Sequence, residues 1–461
     1  MAGVQQVELG SASVERFRSL IDPDLWSSLQ HEMAGLAAAT TGHTVWNVNS
    51  TARGGGVAEL LASLIPYDRG SGIDERWAVI EGSPEFFSAT KKIHLLLHGV
   101  PEQGELTKTD KHSYDEVTAR NAAALAELIK PGDVAILHDP QTAGLIGALS
   151  ARGVHVIWRA HIGVDIPNDT VHAAWRFLEP YAKNAEAYVF SRRAYVWEGL
   201  DASRVSIIAP CIDPFTNKNR ELSGDEVTGI LNTAGLTQDG GTSRGITRTA
   251  RLMGRIPPRS VRLVVQVSRW DPLKDPVGVL EAFAAHIAPT TDAWLILAGP
   301  AVTSVTDDPE QPEILRDLTQ RREGMPAAVR DRVVLAQLPM DDLEENALVV
   351  NALQRRANVV MQKSLAEGFG LTVAEAMWKS RPVVASRVGG IEDQIENGRS
   401  GLLIDDPRDL AAFGAAVVAL LHDEDRARRL GDEARRTIGR KFISPCHLIE
   451  QAQLIQRVVA N

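Results

Sequence analysis

Met361–Gly390 reads MQKSLAEGFGLTVAEAMWKSRPVVASRVGG, and its four pieces decide the fold. The apolar run Val359-Val360-Met361 leads into the polar Gln362-Lys363-Ser364. A glycine-rich turn follows, Glu367-Gly368-Phe369-Gly370. A helix is predicted from about Leu371, with Ala374, Ala376, Met377 and Trp378 as its packing residues. Pro382 to Ser386 has the continuous apolar character of a buried parallel strand, closed by Gly389-Gly390. Glu367 and Glu375 stand on the turn and on the helix. Were all of it helical, they would be about 12 Å apart. A helix that opens after a glycine turn offers unpaired N–H groups and the positive end of its dipole, which suits an anionic ligand.

The same alternation extends in both directions. Upstream, Arg262 to Val267 is a predicted strand ending in Ser268-Arg269-Trp270-Asp271. A helix over Val277–Ile287 and a strand over Ala293–Ala298 with the turn Gly299-Pro300 come next. Helices over 314–322 and 344–355 flank a strand at Val333-Val334-Leu335, and Leu402-Leu403-Ile404 precedes a helical tail. The first half repeats the theme after a helical lead-in over 1–40. Its predicted strands are 43–50, 73–80, 133–137, 154–158, 187–191 and 205–210, and Lys91–His98 is a further element. The first strand runs into Thr51-Ala52-Arg53-Gly54-Gly55-Gly56 and a helix, the unit that holds phosphates or sugars at helix N-termini. The expected architecture is α/β, with two Rossmann-like, doubly wound, parallel-sheet domains facing a central cleft. Expected boundaries are 1–212 for the first domain, 213–258 for a linker with a helical insert, and 259–440 for the second domain. Residues 441–461 are expected to form a helix crossing back to the first.

The chain has 461 residues, 44% hydrophobic and 23% charged, as globular domains do. Its net charge of −10 argues against general nucleic-acid or membrane-surface binding, both of which want a basic face. No apolar run approaches the ~20 residues of a membrane span, and the first residues lack an apolar signal core. Cys211 and Cys446 are far apart and read as ordinary thiols. The expected location is the cytoplasm.

Glu367 to Glu375, EGFGLTVAE, resembles the E-x7-E motif of retaining glycosyltransferases of family 4, which have the GT-B fold. Arg269 and Lys274, in SRWDPLKDP, are similar to that family's R-x4-K phosphate clamp. Leu297-Ala298-Gly299-Pro300 and Ser386 to Asp393 match its other recurrent turns. In the first half, Leu137-His138-Asp139-Pro140-Gln141 and Trp158 to Asp165 resemble the trehalose synthase branch, which transfers glucose from a nucleotide-glucose to free glucose.

Cleaving the glycosidic bond of a nucleotide-sugar builds negative charge on the diphosphate, and fixed positive charge there is usually the largest catalytic effect. Arg269 offers a planar fork and Lys274 a mobile point charge. The resemblance implies that Glu375 accepts hydrogen bonds from ribose hydroxyls. It implies that Glu367 holds hydroxyls of the transferred glucose together with backbone N–H groups of Phe369, Gly370 and Leu371. An acid–nucleophile pair of the glycosidase kind is the alternative for the two carboxylates, but it leaves the clamp without purpose. His161 stands at a strand end, where open α/β sheets put ligand groups, and is a candidate for contact with the donor sugar. Asp139, at the preceding strand end, is a candidate for acceptor hydroxyls, against a helix N-cap with Pro140 after it. Arg159 is a candidate for orienting either substrate, and Gly55 and Gly56 for backbone approach to donor phosphate or acceptor.

No Asp-x-Asp stands at a strand end. Asp22-Pro23-Asp24 and Asp423-Glu424-Asp425 lie near the chain ends, and Asp307-Asp308, Asp341-Asp342 and Asp405-Asp406 are adjacent pairs. No metal and no cofactor beyond the nucleotide-sugar co-substrate are therefore expected. The resemblance implies front-side chemistry, in which the leaving phosphate itself takes the acceptor proton. Partners are then a nucleotide-glucose and a small sugar acceptor; a homodimer is one candidate assembly, and the sequence does not name the oligomeric state. A trehalose phosphorylase, or a family 4 transferase with another acceptor, is the alternative.

Overall fold

Short β-branched runs become buried strands, and the glycine, serine and aspartate clusters after them become turns that launch helices. This is the case for most elements of the computed structural model, which describes residues 3–52, 55–100, 104–238, 240–302 and 311–460. The chain divides into two units, Met1–Cys211 with Phe442–Asn461, and Ile212–Lys441.

The first unit holds β1 (Gln5–Val7), β2 (Val45–Asn49), β3 (Glu75–Val79), β4 (Val134–His138), β5 (His155–Ala160), β6 (Ala187–Phe190) and β7 (Val205–Ile207). They form one sheet in the order β1-β3-β2-β4-β5-β6-β7. All neighbours are parallel except β1, which pairs antiparallel with β3 through Gln5↔Val79. The lead-in is therefore not helical throughout. Its three-residue edge strand is too short and polar to show a period, and the helix Pro23–Ala39 follows it, capped by Asp22. Lys91–Leu97 belongs to the helix Pro84–Leu97, which Ser83 caps at its start and His98 ends. Trp46, Phe86, Tyr114, Trp158, Phe190 and Trp197 are buried in this unit's core. The last helix, Ser444–Val459, lies on the same unit, where Gln453 and Gln456 both bond the Glu32 carboxylate at 2.9 Å.

The second unit holds β8 (Arg251–Met253), β9 (Leu263–Val267), β10 (Trp294–Pro300), β11 (Val333–Leu338), β12 (Val359–Gln362), β13 (Val383–Ser386) and β14 (Leu402–Ile404). Their order is β14-β13-β12-β9-β10-β11-β8, parallel except for β8 against β11. The polar stretch read as a linker is part of this unit. It contributes β8 and the helix Gly224–Thr233, with a Ser223/Glu226 capping box. Val264, Leu295, Leu335, Met361, Val384, Phe413 and Val417 centre the core.

Both sheets are doubly wound. In the first, the chain leaves β2 toward β3 on one side and then returns to β4 on the other. In the second, it leaves β9 toward β10 and β11 and later returns to β12. The crevice at such a reversal, outside the carboxyl ends of the two strands, is where open α/β sheets bind ligands.

Candidate active site

In the second unit, the reversal brings the end of β9 beside the end of β12. β9 runs into Ser268–Lys274 and β12 into Lys363–Gly370. Leu365 N–H donates to the Leu273 carbonyl at 2.7 Å, so the two loops are joined. Lys274 Nζ thereby reaches Glu367 Oε2 at 2.6 Å, with Ser364 Oγ on the same carboxylate oxygen at 3.3 Å. Both side chains of the pair are largely buried, at 17% and 10% exposure. Arg269 is half exposed and bonds Asp271 Oδ2 at 2.9 Å.

The loop is held from beneath. Trp270 is buried and donates from Nε1 to the Pro300 carbonyl at 2.8 Å. Gln266 Nε2 donates to the Lys274 carbonyl at 3.0 Å. Asp275, in the left-handed region at φ 44, caps the helix Pro276–Ala282. The buried Lys363 ammonium sits on its carboxylate.

The glycine turn has its own framework. Gly370 has φ 87 and precedes the helix Leu371–Trp378, whose first N–H groups have no side-chain cap. Gly390 N–H donates to the Gly368 carbonyl at 3.0 Å, and Gln394 Nε2 donates to the Phe369 carbonyl at 2.5 Å. A Cβ on Gly390 would stand 2.7 Å from Phe369 Cα, so only glycine allows this approach. Glu375 is 3% exposed on the helix, with Lys218 Nζ 3.8 Å from Oε1. Lys379 Nζ donates to the Glu375 carbonyl at 3.0 Å. Burial, opposed by the Glu375 charge, pulls the Lys379 amine down to about 7.

In the first unit, the reversal sets the end of β2 beside the end of β4. The loop after β2 carries Gly55, at φ 83, and Gly56, which opens the helix Gly56–Gly70. Arg53 and Gly54 lie outside the described residues, as do Asp307 and Asp308. Asp139 follows β4 at φ 64, an unusual conformation for a non-glycine residue and one that collects at functional sites. Its side chain is not a helix cap. Its Oδ1 accepts from the His161 backbone N–H at 2.8 Å, tying the ends of β4 and β5 together. Burial pushes its carboxyl up to about 7, against the His161 N–H and the Arg159 charge.

His161 Nε2 lies 3.0 Å from His138 Nδ1, and His138 Nε2 lies 2.9 Å from Asn47 Oδ1. Asn47 Nδ2 donates to Glu75 Oε1 at 2.5 Å. Burial, then the Arg159 charge, holds both histidines well below their ordinary range, so both are neutral. Arg159 is 2% exposed, and its contacts lie within the unit. Nη1 donates to His447 Nε2 at 3.0 Å, and Nη2 to the Ile208 carbonyl at 3.3 Å. Its charge works beneath the strand ends instead of reaching out to a substrate.

The structure thus groups Lys274 with Glu367, Asp139 with His161, and Glu375 with Lys218 and Lys379. Sequence reasoning passed over Lys363, Ser364, Lys379, His138, Asn47 and His447. His138 beside Asp139, and Lys363-Ser364 before the glycine turn, were legible as strand-end polar residues. Among the described residues, no group of three His, Cys, Asp or Glu side chains is placed to hold a metal ion. No helix among them is long and apolar enough to cross a membrane.

Two reversed α/β sheets, one with a basic residue and a carboxylate at its switch point, are the organisation of GT-B glycosyltransferases. A trehalose-6-phosphate structure from E. coli bound with UDP-2-fluoro glucose superimposes with a TM-score of 0.68 at 14% identity, covering 91% of this chain and 99% of that one. Residues 257–437 match the family described as glycosyl transferases group 1, and residues 47–197 that described as trehalose synthase, N-terminal domain. The trehalose synthase of Rubrobacter xylanophilus is 35% identical over 459 residues, 99% of each chain. A trehalose phosphorylase of Grifola frondosa is 26% identical over 410 residues, 84% of this chain and 53% of that one. The chain belongs to the trehalose synthase family of GT-B glycosyltransferases.

Proposed function

We propose that the chain transfers glucose, with retention, from ADP- or UDP-glucose to free glucose and so makes trehalose. The observation that carries this is the Lys274–Glu367 pair at 2.6 Å, on loops joined at the second unit's switch point. A cation and a hydroxyl-binding carboxylate side by side match the two ends of the bond that breaks. Lys274 and Arg269 take the charge that develops on the diphosphate. Glu367 holds sugar hydroxyls, with N–H groups of Phe369, Gly370 and Leu371 beside it, and Glu375 holds the ribose hydroxyls. His161 meets the donor sugar and Asp139 the acceptor hydroxyls, with Gly55 and Gly56 giving backbone access. The leaving phosphate takes the proton of the attacking hydroxyl, so no protein base is assigned, and no metal is required. Similarity to trehalose synthase along the whole chain supports this reading over another acceptor.

Purified protein given ADP- or UDP-glucose with glucose should release nucleoside diphosphate and a non-reducing disaccharide. EDTA should leave the rate unchanged. Disaccharide formed from glucose 1-phosphate and not from any nucleotide-glucose would select a phosphorylase instead.

A further inference from the structure

A line of side chains runs from the first unit's strand ends down through its sheet: His161, His138, Asn47, Glu75 and Asp68. Asn47 stands in the middle of β2, and all five of that strand's residues are buried. His138, Asn47, Glu75 and Asp68 are each 2% exposed or less. The contacts along the line are 3.0 Å, 2.9 Å and 2.5 Å, from His161 to Glu75. Groups this deep must be hydrogen-bonded, because leaving a buried polar group unpaired is costly.

The far end sets the direction of every hydrogen in the line. Asp68 Oδ2 and Glu75 Oε2 have no partner when both carboxyls are ionised. Two buried like charges cannot both persist, and one proton held between them satisfies both groups. Burial, then the Glu75 charge, raises Asp68 well above the carboxylate range, while hydrogen bonds from Asp68 and Asn47 oppose the burial effect on Glu75. Asp68 therefore holds the proton, and Glu75 is the acceptor. Asn47 must then turn its NH2 toward Glu75 and its oxygen toward His138. That oxygen accepts, so His138 carries its hydrogen on Nε2 and offers a lone pair at Nδ1. His161 must then donate from Nε2–H.

We propose that His138 and Asn47 are positioning residues that lock His161 as its Nε2–H tautomer, leaving Nδ1 as a hydrogen-bond acceptor for a hydroxyl of the transferred sugar. The sugar contact rests on the functional reading above, whereas the tautomer does not. A histidine free to exchange tautomers would present a donor at Nδ1 part of the time and would lose the hydroxyl's hydrogen.

The test is a long-range proton–nitrogen correlation spectrum of the full chain labelled with nitrogen-15 histidine. His161→Gln and His138→Gln variants identify the two sets of signals. Neutral His161 and His138, both protonated at Nε2, are expected at neutral pH without any substrate. Asn47→Leu should mix the tautomers of both and lower kcat about 10-fold, the worth of one neutral hydrogen bond. A wild-type His161 protonated at Nδ1 overturns the proposal. Locked Nε2–H tautomers in a protein that transfers no sugar would uphold the positioning line and overturn the sugar contact.

Discussion

Lys274 has been given a partner by the fold before any substrate arrives, and that partner is the carboxylate proposed to hold the sugar. Removing the ammonium takes away charge stabilisation of the leaving diphosphate and leaves Glu367 facing the same space. Lys274→Ala should lower kcat/KM on the order of 10²–10³-fold in protein that still folds, and a rate within a few-fold of wild type would remove Lys274 from the clamp. His447 makes a different kind of statement. Burial, with the Arg159 charge beside it, pulls it down to about 3. Unfolding frees it to take up a proton below about pH 6.5. Its contribution to stability is therefore complete above that pH and drains away as pH falls toward 3. His447→Gln should destabilise at pH 7, and urea unfolding should show the gap to wild type narrowing by about 2 kcal/mol on going to pH 5. A gap independent of pH would mean that folding does not lower the His447 pKa. Neither His447 nor Asn47 announced itself in the sequence, since a lone histidine in a helix and an asparagine in a strand are ordinary until the fold supplies their partners.

The turn Glu367–Gly370 with the helix Leu371–Trp378 is the element on which the donor-holding reading depends. Its glycine at 370 was legible as part of the glycine-rich turn, and its left-handed φ of 87 is a conformation that glycine adopts without strain. Gly390 was legible only as the end of a strand, and its use is tertiary. It lets the following turn lie against Phe369, with Gly368 accepting its N–H. Gly390→Ala puts a methyl group 2.7 Å from Phe369 Cα and 2.9 Å from the Gly368 oxygen, both backbone atoms that cannot swing aside. Stability should fall by about 1–3 kcal/mol as overpacking does, and donor KM should rise because Glu367 rides on the displaced turn. Thermal melting and donor titration check this, and an unchanged KM would detach the turn from donor binding. Asp139 followed the opposite course. The motif offered it for acceptor hydroxyls, against a helix cap, and the fold adds that its side chain accepts the His161 N–H at the next strand's end, a contact that local sequence cannot encode.

At the scale of the whole molecule, alternation of apolar runs and glycine turns was enough to foresee two doubly wound parallel sheets. Short edge strands escaped it. β1 and β8 have three residues each and antiparallel partners, and nothing in QQV or RLM distinguishes them from loop. The polar segment before β9 read as a linker with a helical insert, because its helix buries only Gly229, Ile230 and Leu231. What the topology adds is the reason the chemistry-bearing residues are where they are. Each sheet reverses once, and Lys274 with Glu367 in one unit, and Asp139 with Gly55 in the other, stand at the ends of the strands flanking the reversal. The central claim is retaining glucosyl transfer to free glucose. Proton and carbon NMR of the disaccharide formed from a carbon-13-labelled nucleotide-glucose and unlabelled glucose tests it most directly. The account predicts a single non-reducing product with both anomeric centres α, one of them labelled. A β-configured labelled carbon, a reducing disaccharide, or labelled glucose alone would contradict it.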